Sequence, residues 1–183
     1  MGDLALSCDR YTYAEYAEWE EDFRCELIGG VVYMMASPSE WHQRMVTTLS
    51  RKIGNFLEGK NCEPFVAPFD VRLFPRKDLS DDTVVQPDII VICDKSKLDG
   101  KACVGAPDVV FEVLSDSTKI MDLRVKKELY RDAGVKEYWV VAKDYAIRWS
   151  WANDTEEELR FPRVNEVISM QVKTLQAAIE LDV

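Results

Sequence analysis

The sequence predicts a mixed α/β fold in a single domain spanning residues 1–183, and three observations carry that expectation. An apolar run at residues 108–114, a helical pattern and a second apolar run at 137–142 form a strand-helix-strand unit. Upstream, Gly29-Gly30 separates two short strand-like runs, the mark of an antiparallel hairpin. Finally, 47% hydrophobic content in 183 residues suits one buried core and exceeds what disordered chains carry.

The elements follow in order. Thr12-Tyr13-Ala14-Glu15 reads as a capping box opening an acidic helix that runs to about residue 22. Residues 23–28 and 31–35 are the hairpin strands. Ser37-Pro38-Ser39-Glu40 is a second capping box, with Ser37 as cap and Pro38 at the first helical position. Met45, Leu49, Ile53 and Leu57 then recur every fourth residue with Val46 and Phe56, so one helical face is apolar until Gly59. Strand runs at 63–67, 70–74 and 84–93 are separated by the polar loop 75–83, and a second polar loop covers 94–106. After the run at 108–114, a helix over 119–133 closes at Gly134. Strands at 137–142, 146–151 and 157–161 complete the set, the last two forming an antiparallel edge around the loop 152–156. Repeats and low-complexity tracts are absent from the sequence.

Several function classes are disfavoured. Apolar runs are far too short to span a bilayer, so no membrane association is expected. Residues 1–10 show no secretory pattern, which makes the cytoplasm the expected location. Five scattered cysteines without a CxxC pair, beside one histidine, argue against a disulfide framework and against zinc. With His42 the lone histidine, carboxylates and lysines are left to carry chemistry. The net charge of -10 opposes nucleic-acid binding at first sight. Locally it does not: residues 119–136 hold six basic and three acidic side chains, whereas residues 1–30 hold two basic and eight acidic.

Charge also falls where a core belongs. Glu112 sits within Val109-Val110-Phe111-Glu112-Val113-Leu114, a run that reads as a strand buried on both faces. An ionised carboxylate there costs several kcal/mol unless a cation, a metal or hydrogen bonds offset it. Asp88 follows Pro87 in the run 84–93, and if the two strands are neighbours the carboxylates converge at one sheet edge. Oxygen-only ligation would suit Mg2+ or Mn2+. On the following helix, Lys126 shares a stripe with Leu123, Leu129 and Tyr130, so it faces the core more than Lys127 does, with Asp122 one turn earlier as a partner. A buried structural pair between Glu112 and Lys126, with Asp88 merely ending a strand, accounts for the same pattern, and periodicity does not separate the two readings.

Residues Glu26-Leu-Ile-Gly-Gly30, Ser39-Glu-Trp-His-Gln43, Val84-Val-Gln-Pro-Asp88 and Gly105-Ala-Pro-Asp-Val-Val-Phe-Glu-Val-Leu-Ser115, with Ser117-Thr118, Asp122-Leu-Arg-Val-Lys-Lys-Glu-Leu-Tyr130 and Ala133-Gly-Val-Lys-Glu-Tyr-Trp-Val140, resemble the Uma2 (DUF820) family. That family is a branch of the PD-(D/E)XK restriction-endonuclease-like superfamily, and the resemblance runs from about Tyr13 to the C-terminus. It implies a mixed sheet with flanking helices, Asp88 as the motif aspartate and Glu112 as the second acid, 24 residues later. The superfamily lysine belongs two residues after the glutamate, where Leu114 stands, and in this family it looks migrated to Lys126.

The resemblance further implies a catalytic set of Asp88, Glu112 and Lys126, with Mg2+ (or Mn2+) held by Asp88, Glu112 and the Val113 carbonyl. Glu26 matches a further acidic position, as a metal ligand or a residue that orients one. Gln86 and His42 are candidate substrate contacts, each with a plainer alternative: a solvated amide for Gln86 and a hydrogen-bonded boundary histidine for His42. Tyr130 reads first as core, and Pro107-Asp108 as the start of a strand. The expected activity is that of a metal-dependent endodeoxyribonuclease with weak, salt-sensitive DNA binding, in a homodimer. The alternative is a catalytically silent nuclease-like scaffold that binds nucleic acid or a protein.

Overall fold

The structure, a computed structural model, describes residues 9–20, 23–115, 119–152 and 155–182. Its first helix, α1 (Tyr13–Tyr16), is a single turn, with Glu15 accepting from the Thr12 N–H at 2.8 Å. The expected continuation to residue 22 is absent up to Glu20, and residues 21–22 lie outside the described set. Strands β1 (Cys25–Ile28) and β2 (Val31–Met34) form the hairpin, with Gly29 and Gly30 at φ 57° and 80°. Two successive left-handed residues make the turn that glycine alone adopts without strain.

Helix α2 (Glu40–Leu57) begins two residues later than the sequence predicts. Ser39, not Ser37, is the cap, its hydroxyl accepting from the His42 N–H at 3.2 Å. The helix buries Met45, Val46, Leu49, Ile53 and Leu57, as the fourfold spacing requires.

Strands β3 (Glu63–Val66) and β4 (Asp70–Arg72) follow. The run 84–93 is two strands rather than one: β5 (Val84–Val85) and β6 (Ile89–Ile92) belong to different sheets. Pro87 lacks the N–H a continuous ladder needs, and the chain crosses between sheets there. The expected polar loop 94–106 holds a 3-10 turn (Lys95–Lys97) and β7 (Ala102–Val104). Next come β8 (Val109–Val113), a π-helical segment (Met121–Lys126), α3 (Lys127–Ala133) and β9 (Glu137–Val141). Strands β10 (Tyr145–Ala152) and β11 (Thr155–Pro162) pair antiparallel, with β11 at the edge. A terminal hairpin that the sequence reading missed, β12 (Val167–Val172) and β13 (Ala177–Asp182), completes the chain.

The first sheet has the order β2-β1-β5-β4-β7 and the second β11-β10-β9-β8-β6-β3. Each is mixed, β4 with β7 and β8 with β9 being parallel. The parallel β8–β9 pair is the predicted strand-helix-strand unit.

Strand β8 is buried along its whole length, and its alternation assigns its two faces. Val109, Phe111 and Val113 join α2 and the terminal hairpin in one core; Val110 and Leu114 join Tyr130, Tyr138 and strands of the first sheet in another. Glu112 therefore falls on the second face, under the π-helical segment. Two of the five cysteines correct the sequence reading: Cys62 and Cys93 form a disulfide. The β3–β6 register, Glu63 opposite Ile92, sets them opposite each other one residue further on, although they lie 31 apart in sequence.

Candidate active site

Antiparallel pairing of β6 with β8 sets Ile89 opposite Phe111, so the next pair along the same register is Asp88 and Glu112. Their contact is direct: the Asp88 N–H donates to Glu112 Oε2 at 3.1 Å. Asp88 Oδ2 accepts from the Val113 N–H at 2.7 Å and lies 3.1 Å from His42 Nε2. A strand residue's N–H and C=O point to the same neighbour, so the Val113 carbonyl also faces the Asp88 side. Leu114, by contrast, donates to Val141 on the β9 side.

Lys126 closes the arrangement. Its Nζ lies 2.9 Å from Glu26 Oε1, 3.0 Å from Glu112 Oε1 and 3.6 Å from Asp122 Oδ1. The Tyr130 hydroxyl donates to the same Glu112 Oε1 at 2.9 Å, so this core aromatic also serves the site. Burial works against the Lys126 charge, but the three carboxylates more than offset it and hold the ammonium well above its usual range. Burial pushes the Glu112 carboxyl well up, as do Asp122, Asp88 and Glu26, against the pull of Lys126. The hydrogen bond to Asp88 holds the His42 imidazole above its ordinary value.

Glu26, from β1 in the other sheet, is tied at Oε1 by Lys126 and by the Gln86 N–H at 2.9 Å. It thus orients the lysine. The Gln86 amide donates from Nε2 to Asp70 Oδ1 at 2.8 Å and to Tyr16 Oη at 3.3 Å, while its Oε1 is buried without a hydrogen-bond partner. Two acceptors around Nε2 fix which way the amide points.

All six sequence-predicted residues line one cavity of about 450 Å³. Asp88, Glu112 and Lys126 lie deep, with side chains 16%, 5% and 6% exposed. Lys127 points elsewhere, to Glu156. Asp108, the second Pro-Asp, binds the Cys93 N–H and Lys136 at the start of β8 and takes no part. Sequence reasoning missed Arg24 and Lys143 at the cavity wall, because exposed side chains in short connections leave no periodic trace, and Trp41, because its place one turn before Met45 on α2 carries the signal of a core position. It also missed Asp70 and Tyr16 behind Gln86, which lie 16 and 70 residues away in sequence.

Among the described residues, no group of three or more His, Cys, Asp or Glu side chains is arranged to hold a metal ion. Lys126 lies between Glu112 and Glu26. Nor is any helix among the described residues long and apolar enough to cross a membrane.

Comparison with known proteins agrees with the fold. The structure is similar to the crystal structure of "a putative nuclease belonging to DUF820" from Anabaena variabilis, with TM-score 0.68, 16% identity and 91% of each chain covered. In sequence, the chain is 31% identical over 118 residues to an uncharacterized protein of Synechocystis sp., matching 63% of this chain and 60% of that one. The Uma2 family, described as "Putative restriction endonuclease", matches residues 13–181. With nearly the whole chain matched, the protein belongs to the Uma2 family of restriction-endonuclease-like proteins.

Proposed function

We propose that the protein is a Mg2+-dependent endonuclease that hydrolyses phosphodiester bonds of DNA. One observation carries this reading: Asp88 and Glu112 converge at the cavity floor with Lys126 3.0 Å from Glu112. The donor chemistry fits a hard divalent cation. Among the described residues, the Glu26, Glu112 and Asp122 carboxylates surround the Lys126 ammonium and Asp88 lines the same cavity, while burial first, and then the neighbouring carboxylates, raise the Glu112 pKa. Asp88, Glu112 and the Val113 carbonyl would hold the cation, with the Val113 N–H and His42 steadying Asp88 at Oδ2 and the Asp88 N–H steadying Glu112 at Oε2. When bound, Mg2+ polarises the scissile phosphate and lowers the pKa of an attacking water.

This chain's own residues do the rest. Lys126, fixed by its carboxylates, presents positive charge where the phosphate gains negative charge in the transition state. His42 and the Val113 N–H hold the Asp88 carboxylate in one orientation. Tyr130 does the same for Glu112. Incubating the purified protein with DNA and Mg2+ or Mn2+ is expected to give cleavage that falls by about 100-fold or more in Asp88→Ala, a loss of the size seen when one preorganised catalytic group is removed. Equal activity in that variant would remove the proposed site.

A second reading, the catalytically silent scaffold, is favoured by the Lys126 ammonium lying between Glu112 and Glu26. Mn2+ titration separates the two. A nuclease site raises the melting temperature of the wild type more than that of Glu112→Ala, and the scaffold raises neither.

A further inference from the structure

The groups at the carboxylates are only part of the cavity. Arg24, just before β1, and Lys143, between β9 and β10, line the same space from the two different sheets. Both are exposed, and neither forms an ion pair among the described residues, although the cavity they line is rich in carboxylates. Trp41, half-buried in the first turn of α2, lines the wall as well, and the Lys143 ammonium lies 5.7 Å from its ring centroid. A cation over an aromatic face pairs a phosphate contact with a stacking surface.

Depth decides what can reach the floor. With Glu112 only 5% and Asp88 16% exposed, the acids lie at the bottom of a partly open cleft of about 450 Å³. A stacked, paired duplex is a rigid cylinder whose backbone stays on its outside, whereas an unpaired strand can turn a nucleotide and its phosphate inward. We propose that the cavity takes single-stranded DNA, with Trp41 stacking on a base and Arg24 and Lys143 contacting the phosphates on either side of the inserted nucleotide. The proposal rests on the nuclease reading and names its substrate class.

Fluorescence anisotropy in Ca2+, with labelled oligothymidylate and a blunt duplex of equal length, tests it through binding alone. The wild type is expected to bind the single strand about tenfold or more tightly than the duplex. In the Arg24→Gln/Lys143→Gln double variant, the slope of log K against log salt falls in magnitude by about 1.4, at roughly 0.7 per lost single-strand phosphate contact. Trp41→Leu weakens binding about tenfold, the effect of losing one stacked base at about 1.4 kcal/mol. Trp41→Phe keeps most of the affinity, which separates stacking from a folding defect. Duplex binding as tight as single-strand binding, an unchanged salt slope, or no binding at all overturns the proposal. Cleavage is scored apart: selective single-strand binding without cleavage in Mn2+ retires the nuclease and keeps the ligand. Asp88-dependent cutting without single-strand preference does the reverse.

Discussion

A buried charge persists only where its neighbours offset the loss of water, and two clusters in this protein do so differently. Around Lys126 the carboxylates outnumber the ammonium, and the imbalance suits a site that takes a further cation. Arg72 and Asp81, outside the cavity, are matched: Arg72 Nε and Nη2 donate to the two Asp81 oxygens at 2.8 and 2.6 Å, and the Arg76 N–H adds a third bond. Burial would raise the Asp81 carboxyl, but these donors outweigh it and hold it below its usual value. The group's contribution to stability is therefore present above the unfolded carboxyl value of about 3.9 and lost as pH falls through the lower folded value. Asp81→Asn is expected to cost about 3–5 kcal/mol in urea unfolding at pH 7, because it leaves Arg72 buried without its counter-charge. The gap to wild type should narrow as pH falls below about 4, where the unfolded chain's carboxyl takes up a proton before the folded one does. A gap independent of pH would mean that the pair contributes packing alone. Glu112 was legible in the sequence because a charge inside an apolar run is costly. Asp81 was not, because an aspartate in a polar stretch looks solvated until Arg72 is placed beside it.

At the level of elements, periodicity located α2 and the strand-helix-strand unit, and it distinguished Lys126 from Lys127. It did not reveal the π-helical turn at Met121–Lys126, since i to i+4 neighbours such as Asp122 and Lys126 meet in either helical form. Such turns recur at functional sites, and here it delivers the lysine to the carboxylates. The terminal hairpin was readable and overlooked: residues 167–172 and 177–182 alternate between core and solvent, the period of a half-buried strand. What joins it to the main sheet was not readable. Glu137, fully buried in β9, accepts from the Trp139 indole at 2.9 Å and the Lys173 N–H at 3.2 Å on Oε1, and from the Thr174 N–H at 2.8 Å on Oε2. All three partners donate, so an amide in its place must turn its NH2 toward a donor. Glu137→Gln is expected to cost about 1–3 kcal/mol. In hydrogen exchange, protection should fall in β12 and β13 while β8 and β9 keep theirs. Uniform loss across both would show that Glu137 supports the sheet as a whole rather than the hairpin's attachment.

Across the whole molecule, the chain leaves the six-stranded sheet after β3, builds β4 and β5 in the other sheet, and returns at β6 with Asp88 at its head. The site exists because of this excursion: Glu26 comes from one sheet, Asp88 and Glu112 from the end of the other, and Gln86 from the crossing between them. The Cys62–Cys93 disulfide closes the same excursion at its base, at the opposite end of β6 from Asp88. Cysteine spacing alone could not show this, because the strand register, not the sequence, makes the two neighbours. A closed loop spanning 31 residues removes enough freedom from the unfolded chain to contribute about 3–4 kcal/mol in the chain-entropy account. Reduction with dithiothreitol, or Cys62→Ala/Cys93→Ala, is expected to lower the unfolding free energy in urea by up to that amount. Because the bridge acts mainly on the unfolded chain, the reduced native protein should keep its Asp88-dependent metal response. A large stability loss with the Mn2+ response intact would place the bridge in the scaffold. Loss of both would show that the register of β3 on β6 reaches the carboxylates, so that holding the excursion closed and aligning Asp88 with Glu112 are one structural task.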